Sequence, residues 1–206
     1  MAGTFLVIEG PEGAGKSTVL GELARHLRAR HPERETVFTR EPGGTPLGDA
    51  VRQVLLDPEL TVSPLAEFLL YSASRTQHVD DVIRPALRRG ALVVSDRFLA
   101  SSVAYQGAGR GVDAEFIARL NGAVAPDVQP DLTILLDLPA AEGLRRIRAR
   151  GEADRLERLN GSFHERVAAS YRKQAEADGW LVIDAARPAA QVARDVAAAV
   201  DGFLGC

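Results

Sequence analysis

Gly10-Pro11-Glu12-Gly13-Ala14-Gly15-Lys16-Ser17, followed by Thr18, fits G-x-x-x-x-G-K-[ST], the pattern of a phosphate-binding loop. Before it, Thr4-Phe-Leu-Val-Ile-Glu9 is a nearly continuous apolar run, as in a strand buried on both faces. After it, Leu20, Leu23, Ala24 and Leu27 recur at helical spacing, with Arg25, His26 and Arg28 left for the wet side. Strand, glycine loop and helix is the context the motif requires. Gly10, Gly13 and Gly15 let backbone N–H groups close on an anion, and the helix starting near Lys16 adds the positive end of its dipole. Lys16 is expected at the β- and γ-phosphates of a nucleotide, with the Ser17 hydroxyl on Mg²⁺. Of 25 basic residues only Lys16 and Lys173 are lysines, so a compact ammonium stands where a point charge is needed.

The chain has 206 residues, which fits one domain with a substantial core. A net charge of −3 argues against a general nucleic-acid or membrane surface. The single cysteine, Cys206, excludes an intrachain disulfide and a cysteine metal cluster. No leader segment and no apolar run of membrane-spanning length is visible, so a cytoplasmic protein is expected.

Further strands are expected at Thr36–Thr39, Ala91–Ser95, Leu132–Leu138 and Trp180–Ile183, each short and apolar. Arg40-Glu-Pro-Gly-Gly-Thr45 ends the first of these; its Gly43-Gly44 pair suits either backbone against a ligand or a tight turn. Leu47, Val51, Val54 and Leu55 give a short helix. Ser63-Pro64 opens another, with Leu65, Phe68, Leu69 and Ser72 on one face and Tyr71 and Arg75 one turn apart on another. Pro85 should kink or divide the segment running to Arg89. Asp96-Arg97-Phe98 falls at the carboxyl end of a strand, where open parallel sheets collect ligands. Asp113 caps a helix, and Pro139 opens one. Arginines 145, 146, 148, 150, 155 and 158 crowd a stretch interrupted by Gly151. A helix is expected from about Leu156 to Asp178, and a last one from Pro188. Strands alternating with helices predict a three-layer α/β/α fold around a five-stranded parallel sheet.

Phe5-Leu-Val-Ile-Glu-Gly-Pro-Glu-Gly-Ala-Gly-Lys-Ser-Thr18, Arg40-Glu-Pro-Gly-Gly-Thr45, Asp96-Arg-Phe98, Ala104-Tyr-Gln-Gly107 and Arg148-Ala-Arg-Gly-Glu-Ala-Asp-Arg155 together resemble thymidylate kinases, in order and approximate spacing, over nearly the whole chain. The resemblance implies the P-loop NTPase fold with sheet order 2-3-1-4-5, a homodimer, and transfer of the γ-phosphoryl group from ATP to dTMP with Mg²⁺, giving dTDP for dTTP synthesis. Residues 10–18 would then bind ATP. Glu12 resembles the carboxylate at the deoxyribose 3′-OH, and Pro42 and Gly43 the wall beside the acceptor phosphate. Tyr71 stands where the family usually stacks phenylalanine on thymine, and Arg75 matches the donor to thymine O4. Asp96 and Arg97 resemble the pair that supports Mg²⁺ and binds the dTMP phosphate. Ser102 matches a reader of the base edge, Tyr105 a ring below C2′, and Gln106 the same wall.

With Gly13 in place of an arginine inside the loop, and Arg148, Arg150 and Arg155 in a lid at about residues 145–158, the pattern is similar to the bacterial type. Adenine would sit near Asp184-Ala-Ala-Arg187. Alone, each site has a plainer reading: Tyr71 as helix packing, Asp96-Arg97 as an ion pair, the arginine run as a solvated face. Two other functions remain open on the residues themselves. A deoxynucleoside kinase would need a base near a 5′-OH, and a nucleotide-controlled switch fits poorly with the lack of an N-K-x-D segment.

Overall fold

Five parallel strands in the order β2-β3-β1-β4-β5 make the central sheet: β1 (Thr4–Glu9), β2 (Thr36–Arg40), β3 (Leu92–Asp96), β4 (Leu132–Asp137) and β5 (Leu181–Asp184). The structure is a computed structural model and describes residues 3–151 and 153–205; Glu152 of the arginine stretch and Cys206 lie outside the described residues. The helices are α1 (Lys16–Arg30), α2 (Pro46–Leu56), α3 (Pro64–His78), α4 (Arg84–Arg88), α5 (Leu99–Ser102), α6 (Ala114–Val124), α7 (Ala140–Arg150), α8 (Gly161–Asp178) and α9 (Ala189–Leu204). Two π-helical stretches, Val79–Ile83 and Val103–Gly109, continue α3 and α5.

Strand alternation decides the layers. Leu6 and Ile8 of β1 join Leu92, Val94, Ile134 and Leu136 in a core closed by α1 and α9. Phe5 and Val7 face the other way, onto Val79, Ile83 and Phe98. On that same side Leu135 packs with Tyr105, Phe163, Val167 and Tyr171 of α8 and the second π stretch. The odd-numbered face of β1 ends at Glu9, so a carboxylate is delivered beneath α5 and α8. In register, Ile8 lies beside Asp96, which sets the phosphate loop next to the turn at Arg97.

Ser63 and Asp113 cap α3 and α6 as expected, accepting from Ala66 N and Phe116 N; Thr45 and Asn160 do the same for α2 and α8. Three expectations are corrected. The helix expected from Leu156 begins at Gly161, because the Asp154 carboxylate takes Leu156 N and Glu157 N into a turn of its own. The strand expected from Trp180 starts at Leu181 and forms the sheet edge, so Leu181 and Val182 stay largely exposed. Of the expected lid, Arg145, Arg146, Arg148 and Arg150 lie on α7. On α3, Phe68 and Ser72 are buried but Leu65 and Leu69 are exposed; the inward face carries Glu67, Ser74, Arg75 and His78 instead. These polar groups satisfy one another, which no apolar pattern reveals. Pro85 does divide its segment: having no N–H to donate, it follows a wider π turn into α4.

The phosphate loop packs backbone to backbone on α7. A Cβ on Gly143 would stand 2.4 Å from Glu12 O, and one on Gly13 2.6 Å from Gly143 O. Gly143→Ala is therefore expected to overpack this contact by about 1–3 kcal/mol and lower Tm by about 2–10 °C, with weaker nucleotide binding. Calorimetric melting and nucleotide titration check it; an unchanged Tm and affinity would mean that loop and helix can part freely.

Candidate functional site

At the carboxyl edge of the sheet a cleft of about 620 Å³ opens between the phosphate loop, the β2 and β3 ends, α3, the second π stretch and the end of α7. Lys16, Ser17 and Thr18 form its floor. Lys16 is buried, and its Nζ donates to Gly10 O at 2.9 Å and Pro11 O at 3.0 Å. Arg97 reaches the same carbonyl: Nη1 donates to Gly10 O at 3.0 Å and to Tyr171 OH at 2.9 Å. Its Nη2 donates to Glu12 Oε1 at 2.7 Å and Tyr105 OH at 3.0 Å. Arg97 has φ 73°, a left-handed conformation costing a side-chain-bearing residue about 1–3 kcal/mol. Arg97 N bonded to Ile8 O and Ser95 Oγ bonded to Arg97 O hold it there.

Charge follows from this crowding. Burial pushes the Lys16 ammonium down, and the neighbouring Arg97 cation adds to it. Burial would raise the Glu12 carboxyl, but Arg97 and Lys16 together outweigh it and hold Glu12 at about 2. Two cations thus meet at one carbonyl oxygen, and a single carboxylate, Glu12, bonds one of them, a site suited to polyanions.

One wall of the cleft is built by Pro42, Tyr71, Ser102, Tyr105 and Gln106. Tyr71 is half-buried, and Tyr105 lies under the Arg97 guanidinium at 4.8 Å. Gly43 is buried behind Pro42, its N–H on Ser74 Oγ. Arg75 does not line the cleft. It sits beneath this wall, 1% exposed, donating to Glu41 Oε2 at 2.6 Å, Ser102 Oγ at 3.0 Å, Phe98 O at 3.0 Å and Asn121 Oδ1 at 3.4 Å. Glu41 in turn takes His78 Nδ1, so the Arg40–Thr45 loop is fastened to α3 through buried charge.

The lid arginines separate. Arg150 lines the cleft, and its Nη2 holds both oxygens of Glu157 at 2.6 and 2.7 Å. Arg155 turns away: it is 8% exposed, with Nη1 on Glu67 Oε2 at 2.7 Å and Nε on Leu55 O at 2.8 Å. Arg148 is exposed on α7 outside the cleft lining. Arg146, to which no site role was given from sequence, lines the cleft and bridges Gly13 O and Ala185 O, tying the phosphate loop to the loop after β5. Arg40 and Arg52 also face the cleft, Arg52 through a bond to Pro42 O.

A divalent cation has oxygen donors here. Asp96 Oδ1 is buried without a hydrogen-bond partner among the described residues, and the Ser17 side chain is exposed on the cleft floor. No cluster of three or more acidic, histidine or cysteine ligands occurs among the described residues. That suits Mg²⁺, which takes one or two protein oxygens beside substrate phosphates and water. Sequence reasoning missed Glu9, Glu41, Glu67 and Tyr171. Glu9 alone carried a signal, an acid ending an otherwise apolar strand.

The thymidylate kinase family profile matches residues 8–196. A thymidylate kinase of Deinococcus radiodurans is 49% identical over 200 residues, covering 96% of each chain. One from Pseudomonas fluorescens strain SBW25 is 47% identical over 207 residues, covering 99% of this chain and 96% of its own. The crystal structure of thymidylate kinase from Ehrlichia chaffeensis superposes with a TM-score of 0.80 at 30% identity, over 98% of this chain and 100% of that one.

Glu12 gives a pH prediction. Its carboxyl is held below the unfolded value near 4.5, at about 2, so it stabilises the folded state above pH 4.5, and that contribution is lost as pH falls towards 2. The stability advantage of the wild type over Glu12→Gln, measured by urea unfolding, should be full at neutral pH and shrink over that window. A difference independent of pH would show that the Glu12 charge is not what Arg97 and Lys16 hold.

Proposed function

The chain belongs to the thymidylate kinase family, and from that premise and the cleft we infer how it transfers the γ-phosphoryl group of ATP to dTMP, giving dTDP. One observation carries the assignment of residues: Lys16 and Arg97, from different strand ends, converge on Gly10 O inside one cleft. Residues 10–18 cradle the ATP phosphates, with the Lys16 ammonium following the γ-phosphoryl group. Arg97 holds the acceptor phosphate beside Pro42 and Gly43. A loose phosphoryl-transfer transition state asks for positioning and positive charge rather than a strong base. The two cations supply that charge from fixed places.

Asp96 and Ser17 are the residues that would hold Mg²⁺. When bound, the ion neutralises charge on the phosphate oxygens. Tyr71 stacks on thymine, its ring half-buried on the cleft wall. Arg75 lies beneath the cleft wall with four of its five N–H groups bonded, and the fifth is the donor for a thymine O4 that sinks between Tyr71 and Ser102. Ser102 reads the base edge, Tyr105, with Gln106 in the same wall, excludes a 2′-hydroxyl, and Glu12 takes the 3′-OH. Arg150 is the lid cation already at the cleft and exchanges Glu157 for the transferring group. Arg148 and Arg155 join it only when residues 145–158 rearrange on closure. Adenine lies between Arg146 and the 184–187 loop, which Arg146 already braces.

A homodimer is part of the reading. Leu47 and Val54 on α2 and Leu65 and Leu69 on α3 leave 43–50% of their surface exposed on two helices that pack together. A second copy would cover them. A single domain in the cytoplasm completes it; among the described residues no helix is long and apolar enough to cross a membrane.

ADP release with ATP, Mg²⁺ and a panel of acceptors tests the reading. Stimulation by dTMP and none by thymidine or dCMP is expected, and stimulation by thymidine would instead favour a deoxynucleoside kinase. Lys16→Ala should lower kcat about a hundredfold or more with the fold intact, since one preorganised electrostatic donor is worth about 3–4 kcal/mol. Turnover near the wild-type value in that variant would remove Lys16 from the mechanism. Arg150→Ala should reduce kcat more than it raises KM for ATP.

A further inference from the structure

Glu9, Ser101 and Tyr171 come from β1, α5 and α8 and meet behind Arg97. Each is nine-tenths or more buried. Glu9 Oε2 lies 2.8 Å from Ser101 Oγ and 3.0 Å from Tyr171 OH, and those two hydroxyls are 2.7 Å from one another. Glu9 Oε1 accepts Phe98 N at 2.9 Å. The three oxygens therefore form a closed triangle of short contacts. Every edge needs one hydrogen, and the two hydroxyls own one apiece. With an ionised Glu9, two hydrogens would have to serve three edges, and one edge would always set lone pair against lone pair. A proton on Oε2 completes the ring, with each oxygen donating once and accepting once. The hydroxyl oxygens then still have a free lone pair each for Arg97 Nη1, whose two hydrogens are shared among Gly10 O at 3.0 Å, Tyr171 OH at 2.9 Å and Ser101 Oγ at 3.3 Å.

We propose that Glu9 is a neutral carboxylic acid whose proton closes this three-membered hydrogen-bond ring, and that the ring is the cradle that positions the Arg97 guanidinium. Glu9 is thus a positioning residue. The groups around it divide. Arg97 and Lys16 favour its ionised form, while Glu12, Asp96 on the neighbouring strand and the acids of an adjacent 470 Å³ cavity, Asp131 and Asp178, do not. Burial dominates and pushes the Glu9 carboxyl up. A neutral acid also serves Arg97's task. Glu12 already gives Arg97 one ionised carboxylate; a second at Glu9 would compete further with the acceptor phosphate, whereas polarised hydroxyls orient the guanidinium without adding negative charge. The left-handed backbone at Arg97 and this cradle together set the side chain over Gly10 O.

The inference rests on the assignment of Arg97 to the acceptor phosphate, and the experiment separates the two. Infrared difference spectra of wild type minus Glu9→Gln at neutral pH should show a protonated carboxylic C=O band, and its absence would overturn the ring. In steady-state kinetics, Tyr171→Phe and Glu9→Ala should lower kcat/KM for dTMP about tenfold with KM for ATP unchanged, while Glu9→Gln, whose carbonyl can accept Phe98 N and whose NH2 can donate to both hydroxyls, stays within about threefold of wild type. Tyr171→Phe keeps the ring's volume, so it decides the matter even where Glu9→Ala does not fold. Glu9→Gln as impaired as Glu9→Ala would overturn the neutral acid. With Arg97→Ala as reference, a large loss there and none in Tyr171→Phe would overturn the positioning role. No loss in Arg97→Ala would instead remove Arg97 from the acceptor phosphate, with the infrared band reporting on the ring by itself.

Discussion

Lys16 and Arg97 share one acceptor, Gly10 O, at 2.9 and 3.0 Å, and most of the molecule is arranged so that they can. Like charges about 4 Å apart repel by about 4 kcal/mol at the effective dielectric of a protein interior. Three things offset that here. The Glu12 carboxylate bonds Arg97 directly, loop carbonyls solvate the ammonium, and the sheet register fixes the β1 and β3 ends side by side. The repulsion is then a property the site keeps for its ligands: an incoming phosphate meets cations whose counter-charge is only partly supplied by protein.

Behind the cleft, three buried carboxyl groups play one structural part each. Glu41 holds Arg75 and His78, Glu67 holds Arg110, Arg155 and Gln106, and Glu9 holds the hydroxyls that carry Arg97. Removing one member of such a pair leaves a buried charge uncompensated, at about 3–5 kcal/mol, so these arginines are anchored far more firmly than surface ones. Anchoring costs mobility. Arg155, tied to Glu67 and to Leu55 O, is restrained, whereas Arg150 has a single carboxylate partner and is largely exposed. The two therefore differ in how readily they can follow a substrate.

Backbone proximity matters as much as charge. Gly13 and Gly143 touch because neither carries a side chain, and this lets α7 brace the phosphate loop from the side opposite the sheet. Arg146 then extends the brace to the loop after β5. Phosphate loop, α7 and the loop after β5 are thereby joined, while the facing wall of the cleft is carried separately by α3 and the π-helical turn.

Local patterns in the sequence determined the strand–loop–helix of residues 4–30, the five parallel strands, the caps at Ser63 and Asp113, and the division at Pro85, because periodicity, backbone freedom and capping act over a few residues. The sheet order, and with it the family, was legible through motifs that fall in a fixed sequence. What these could not show was direction. Leu65 and Leu69 read as core and are exposed, while Glu67 and Arg75 of the same helix are buried, because a buried ion pair satisfies itself only through partners far along the chain. Arg148, Arg150 and Arg155 are equivalent in sequence; the tertiary structure alone faces one into the cleft, leaves one in solvent and turns one to Glu67. Glu9 is the clearest case. Its neighbours in sequence mark only the end of a strand, and its chemistry comes from Ser101 and Tyr171, 92 and 162 residues away, where three buried oxygens need a third hydrogen.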